Sequence, residues 1–201
     1  PLRRQRQMCI RDSLYFPLAS ETGLKSSLTP NLGGDAKIDQ ETFLLEPVSA
    51  EHLHSNRGVR NFWLVDEDGQ AFSVSGASAR QEADRFTPAQ DDSRLTAGLM
   101  WQTVERTAQD LGLDTEVTAF CPRQDNVEIL CITVRNQQEQ PRWLTPIAAV
   151  PLYGRSADNI RDHRNVTSML HRIWTTENGV MVRPTMSFDE RGHRPNHKVY
   201  Y

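Results

Sequence analysis

The sequence is poor in cysteine, in aromatic residues and in long apolar runs. Its 201 residues include three cysteines, Cys9, Cys121 and Cys131, and 7% aromatic residues. An odd number of cysteines without a C-x-x-C pair argues against a disulfide framework and against a zinc site. We therefore expect no metal and a reducing, cytoplasmic setting. No apolar run reaches the length that crosses a bilayer, so no membrane partner is predicted.

An excess of charge of one sign is also missing. The chain has 23 Lys and Arg residues against 26 Asp and Glu residues, a net charge of -3. This balance gives no general attraction to phosphate backbones, so no nucleic-acid partner is predicted. Arginine outnumbers lysine and often lies near acidic residues. That pattern suits ion-paired loops or recognition of sugar hydroxyls.

Catalytic motifs are absent as well. The sequence contains no G-x-S-x-G, no H-E-x-x-H, no P-loop and no glycine fingerprint of a dinucleotide site. Asp189 and Glu190 are neighbours on a predicted strand, where they would point to opposite faces and make a poor acid/base pair. We therefore predict no catalytic residue in this chain.

Both ends of the chain look artificial. The sequence begins at Pro1, and the run Met8–Ser13 resembles a translated sequencing adapter. Residues 1–13 are therefore interpreted as a non-native leader. The chain stops at Tyr201 within a strand-like run, so residues 14–201 are interpreted as one β domain truncated at its C-terminal end.

Short apolar runs separated by turn signals make up most of the remaining sequence. A helix is indicated only around Ser78–Phe86. Short strands at regular spacing are typical of an all-β sandwich or barrel. The predicted strands are Thr42–Leu45, Asn61–Val65, Ala71–Val74, Ala97–Arg106, Asp114–Cys121, Val127–Asn136, Trp143–Leu152, Val166–Thr175 and Val180–Met186.

Three features of these strands predict where the core lies. Both faces of Val127–Asn136 are apolar, which favours a central strand covered on both sides. Cys121 and Cys131 are expected in the core. The four tryptophans fall within predicted strands and are also expected there, whereas a carbohydrate-binding module usually exposes aromatic rings. They are Trp63, Trp101, Trp143 and Trp174.

Two polar loops are the candidate binding segments, Tyr153–Arg164 and Ser187–Asn196. Arg, Asp and Asn side chains form the paired hydrogen bonds that sugar hydroxyls require. The alternative is that both loops are solvated and internally ion-paired. The candidate substrate-binding residues are Arg155, Asp158, Arg161, Asp162, His163, Arg164, Asp189 and Arg191.

Three sequence blocks resemble the opening domain of glycoside hydrolase family 94, the cellobiose-phosphorylase-like enzymes formerly called glycosyltransferase family 36. The blocks are Tyr15-Phe16-Pro17-Leu18-Ala19, Arg60-Asn61-Phe62-Trp63 and the run Gly112–Pro122, and they occur in the family's order. The resemblance implies a large antiparallel β-sandwich, the galactose-mutarotase-like supersandwich. It also implies a following (α/α)6 barrel with one catalytic Asp, outside this chain.

The same resemblance implies a function. Such enzymes are inverting hexosyltransferases that cleave a β-glucoside with inorganic phosphate as co-substrate and need no cofactor. Their sandwich domain contributes to the homodimer, and its loops reach the sugar site of the neighbouring subunit. The two polar loops are candidates for that role. The alternative is a stand-alone carbohydrate-binding or interaction module.

Overall fold

The computed structural model describes residues 15–48, 59–157, 169–189 and 192–201. Within these ranges the chain forms mostly strands, with one short α-helix, α1 (Ala79–Asp84), and a 3-10 turn at Gln109–Leu111. No helix in these ranges is long and apolar enough to cross a membrane. The strands are β1 (Phe16–Ala19), β2 (Lys25–Leu28), β3 (Ala36–Asp39), β4 (Thr42–Leu45), β5 (Asn61–Asp66), β6 (Ala71–Ser73), β7 (Asp92–Gly98), β8 (Trp101–Ala108), β9 (Leu113–Phe120), β10 (Ile129–Asn136), β11 (Leu144–Ala149), β12 (His171–Thr176), β13 (Gly179–Pro184), β14 (Met186–Asp189) and β15 (Gly192–Pro195).

These strands form three sheets and two separate hairpins, all antiparallel. The first sheet has the order β1-β2-β3-β4, the second β10-β9-β8-β7, and the third β11-β5-β6. The hairpins are β12–β13 and β14–β15. The all-β prediction is therefore confirmed.

The core lies against one face of the second sheet. Val104 on β8 and Val117 on β9 are buried there in one cluster with Leu64 and Phe72 of the third sheet. Farther along β9, Ala119 packs in a second cluster with residues of the first sheet. The second sheet is thus one layer and the first and third sheets form the other, which is the sandwich that the sequence predicts. We call the face of the second sheet that points away from this core its outer face.

Local turn chemistry is where the sequence is most informative. The predicted turn at Asp66–Gly69 joins β5 to β6. The Asp66 carboxylate accepts hydrogen bonds from the N–H groups of Asp68 at 3.1 Å and Gln70 at 2.8 Å. Gly69 has a φ of 78°, a conformation that glycine adopts without steric cost. The predicted hairpin around residues 176–179 and the helix near Ser78 are confirmed too.

The prediction of one strand over Ala97–Arg106 is wrong. The chain instead reverses at Leu99 and Met100, and β7 pairs with β8 so that Gly98 faces Trp101. Met100 has a φ of 62°, a left-handed conformation that residues other than glycine rarely adopt. Neither turn residue is one of the usual turn formers, so the sequence carries no signal for this reversal.

The prediction that Val127–Asn136 is a central strand is also wrong. β10 is an edge strand of the second sheet and pairs only with β9 within the described residues. Leu130 and Ile132 are half-buried and pack on the core, but Cys131 on the outer face is exposed. In this strand, apolar residues on both faces therefore do not mean that both faces are buried.

Three of the four tryptophans are exposed, contrary to prediction. The exposed fraction is 38% for Trp101, 77% for Trp143 and 40% for Trp174. Trp101 alternates with the buried Gln102 and Val104, so its side chain belongs to the outer face. Of the two described cysteines, Cys121 is half-buried and Cys131 is exposed, so the core prediction is wrong for Cys131.

Candidate functional site

Arg155 is the one candidate binding residue of the first predicted loop that lies within the described residues. It is buried, and its carbonyl accepts a hydrogen bond from the Phe43 N–H at 2.9 Å. The Tyr153 N–H donates to the Leu44 carbonyl at 2.7 Å. The segment 153–155 therefore runs beside β4 and extends the edge of the first sheet.

The guanidinium of Arg155 lies over an aromatic ring and acts on a nearby imidazole. Its Cζ atom is 4.2 Å from the centre of the Tyr153 ring, and its Nε donates to the Tyr153 carbonyl at 3.3 Å. Burial lowers the pKa of His171, and the charge of Arg155 lowers that pKa further. Both effects favour the neutral imidazole. A contact between Arg155 and a sugar stays a prediction.

The other predicted binding residues are not brought together by the described structure. Asp189 is the last residue of β14, where its backbone pairs with Gly192. The remaining six residues lie outside the described ranges, as does the interpreted leader, residues 1–13. These six are Asp158, Arg161, Asp162, His163, Arg164 and Arg191.

A depression of about 240 Å³ lies on the outer face of the second sheet. Arg94 Nε is 3.8 Å from Glu105 Oε2, and Glu105 on β8 is paired directly with Glu116 on β9. At the next position along the strands, Thr107 donates to the Asp114 carboxylate at 2.8 Å. The depression therefore presents carboxylate acceptors beside guanidinium donors. Such a mixed lining suits a neutral ligand with many hydroxyl groups better than it suits a polyanion.

No group of three or more His, Cys, Asp or Glu residues within the described ranges is arranged to hold a metal ion. The acidic residues of the depression are interleaved with Thr107 and Thr133 and with basic side chains.

Sequence reasoning missed Trp101 as a residue of this face. The signal was strand alternation: Thr103, Glu105 and Thr107 share its side of β8, whereas the opposite side carries Gln102 and Val104. A tryptophan on the polar side of an amphipathic strand points to solvent. The prediction of a single strand over Ala97–Arg106 joined the end of β7 to β8 and so obscured that alternation.

Comparison with known proteins agrees with the fold. No curated protein matches the chain. The family model described as glycosyl hydrolase 94, supersandwich domain, matches residues 37–200. That range includes β4 to β15, and therefore the whole second sheet with its outer face. The chain belongs to the supersandwich-domain family of glycosyl hydrolase 94.

Proposed function

We propose that this chain is the non-catalytic N-terminal domain of an inverting disaccharide or oligosaccharide phosphorylase that acts on β-glucosides. The observation that carries the proposal is the family match over residues 37–200. In that role the domain contributes to carbohydrate binding and to the formation of a homodimer. The bond-breaking chemistry belongs to an (α/α)6 barrel, where an Asp protonates the leaving oxygen and inorganic phosphate attacks the sugar.

The carboxylates of the outer face support a non-catalytic role. A glycosidic general acid holds its proton in a water-poor pocket. Glu105 is instead 44% exposed at the side chain and is paired with Arg94. Because its oxygens are open to solvent, this side chain is suited to accepting hydrogen bonds from sugar hydroxyls.

The second candidate function is a stand-alone carbohydrate-binding module. The exposure of Trp101 favours it, because an exposed aromatic ring is the usual platform for a sugar ring. The two candidates predict different source DNA beyond the codon for Tyr201. A frame that continues into helical repeats with an inward-facing Asp supports the phosphorylase, and an early stop codon supports the module.

The proposal is tested by incubating the purified chain with cellobiose and inorganic phosphate and measuring glucose 1-phosphate. We expect no product above that of a heat-denatured sample, since the barrel supplies the general acid. Formation of glucose 1-phosphate in proportion to the amount of chain would overturn the non-catalytic assignment.

A further inference from the structure

The indole of Trp101 lies across Gly98 on the outer face of the second sheet. The two residues are paired across the turn between β7 and β8. A Cβ atom at position 98 would be 2.3 Å from Trp101 Nε1 and 2.5 Å from Cε2, so the ring occupies the space above this glycine. Any larger residue at 98 would push the indole away from the sheet. The glycine thus lets a large ring lie against the backbone and still be 38% exposed.

The strand register places two more apolar side chains beside Trp101 on the neighbouring strands. Trp101 is paired with Phe120 on β9, and Phe120 is paired with Ile129 on β10. Both neighbours are half-buried on the same outer face. Because neighbouring strands lie about 4.8 Å apart, the three side chains form an apolar strip about 10 Å long at one end of the face.

Hydroxyl groups form the next row along the strands. Thr103 and Thr118 are paired, and their Oγ1 atoms are 2.9 Å apart. Thr96 on β7 and Cys131 on β10 extend this row on either side. Each row lies two residues farther along the strands, or about 7 Å. The hydroxyl row therefore separates the apolar strip from the charged depression.

The charged row with Arg94, Glu105 and Glu116 follows and lines the depression. From Trp101 to Glu105 the distance along β8 is four residues, or about 14 Å. An aromatic ring, then hydroxyls, then carboxylates with a guanidinium are thus aligned on one exposed face of the sheet.

We propose that this face binds a β-linked gluco-oligosaccharide, with Trp101 as the platform on which one sugar ring stacks. The all-equatorial hydroxyls of β-glucose leave an apolar ring face for the indole and turn their polar groups to the sides. The threonines, Glu105 and Arg94 then hydrogen-bond hydroxyls of the following units. The inference rests on the proposed function of the domain in carbohydrate binding, and it names a site apart from Arg155 and the two polar loops.

The composition of the face favours an oligosaccharide over other occupants. The core of a protein interface is depleted in charge, whereas most residues of this face are charged or carry hydroxyls. Its four acidic residues, Asp92, Glu105, Asp114 and Glu116, outnumber Arg94 and Arg135, which disfavours a nucleic acid or a phosphorylated ligand.

The test is affinity electrophoresis and calorimetric titration of the whole 201-residue chain with cellohexaose. Trp101→Ala is compared with Trp143→Ala, which removes an exposed tryptophan from the flank of β11 and not from this face. We expect Trp101→Ala to weaken binding at least about tenfold and Trp143→Ala to change it less than about twofold. Gly98→Ala keeps the ring but displaces it, and we expect an intermediate loss.

Circular dichroism confirms that each variant is folded, and Gly98→Ala tests the platform if Trp101→Ala does not fold. Wild-type binding that neither the Trp101 nor the Gly98 variant weakens would overturn this inference and leave the proposed function in place. Absence of cellohexaose binding by the wild-type chain would overturn both the inference and the carbohydrate role. A change in sedimentation for Trp101→Ala without a change in affinity would show that the face is a protein interface, and would also overturn the inference.

Discussion

Arg60 and Glu128 form a buried, two-point ion pair that joins the layers of the sandwich. Arg60 Nε lies 2.5 Å from Glu128 Oε1, and Nη2 lies 3.0 Å from Oε2. The side chains are 2% and 8% exposed. Arg60 also donates to Ser26 Oγ on β2 at 2.8 Å, and Ser26 donates to Glu128. Arg60 precedes β5 and Glu128 precedes β10, so one charge cluster links all three sheets.

Removing one partner of this pair should strongly destabilise the domain. Glu128→Ala leaves the Arg60 guanidinium buried without its counter-charge, and we expect a loss of about 3–5 kcal/mol in the free energy of unfolding. Urea unfolding measures it. The control is Arg123→Ala, which breaks the exposed pair with Glu21 and should cost less than about 1 kcal/mol. Equal losses in the two variants would contradict a structural role for the Arg60 cluster.

The turn between β7 and β8 stores backbone strain at Met100. A left-handed conformation costs an ordinary residue about 1–2 kcal/mol, and glycine avoids this cost. We expect Met100→Gly to raise the free energy of unfolding by about 0.5–1 kcal/mol after the entropy of glycine is counted. Leu99→Gly is the matched control, because Leu99 has no positive φ and glycine there should lower stability. A fall in stability for both variants would contradict the strained turn.

Stability should fall on acidification partly through His171. Its pKa in the folded chain is lowered, so the folded state binds a proton less readily than the unfolded state does. The stabilisation that depends on neutral His171 is fully present above the pKa of the unfolded chain, near 6.5. It is lost as the pH falls through the lower pKa of the folded chain. We expect His171→Gln to reduce the loss of stability between about pH 7.5 and pH 5, measured by urea unfolding. Identical slopes for His171→Gln and wild type would contradict this prediction.

The two described cysteines should differ in reactivity. Burial raises the pKa of the Cys121 thiol to about 11, and the negative charge of Glu128 contributes to the rise. Cys131 is exposed on β10. In a Cys9→Ser background at about pH 8, we expect Ellman's reagent to label Cys131 at least about tenfold faster, since the thiolate is the reactive form. The difference should vanish in concentrated urea, and equal rates in native buffer would contradict it.

The strands and turns could be predicted where the chain carries its own local signal. Asp66–Gly69 contains a carboxylate that caps the turn and a glycine for its left-handed position. The turn and the two strands that flank it can therefore be recognised from the sequence. The sandwich class follows from such segments. The reversal at Leu99 and Met100 carries no such signal, because the pairing of β7 with β8 imposes it from outside the turn.

Burial and the candidate site were harder to predict. Whether the apolar residues of β10 are covered depends on the strand's place at the edge of the sheet, which is a tertiary property. Residue type alone favours the core for Trp101, although alternation along β8 places it on the polar side. Residue chemistry alone favours Arg155 as a sugar ligand, and the structure shows it buried beside β4 with its guanidinium over Tyr153.

The proposed role of this domain is to bind a β-gluco-oligosaccharide without transforming it. The most direct measurement is a calorimetric titration of the chain with cellohexaose in phosphate buffer, followed by an assay of the same solution for glucose 1-phosphate. Saturable heat without glucose 1-phosphate is the predicted result. A titration with no saturable heat, or the appearance of glucose 1-phosphate, would contradict the claim.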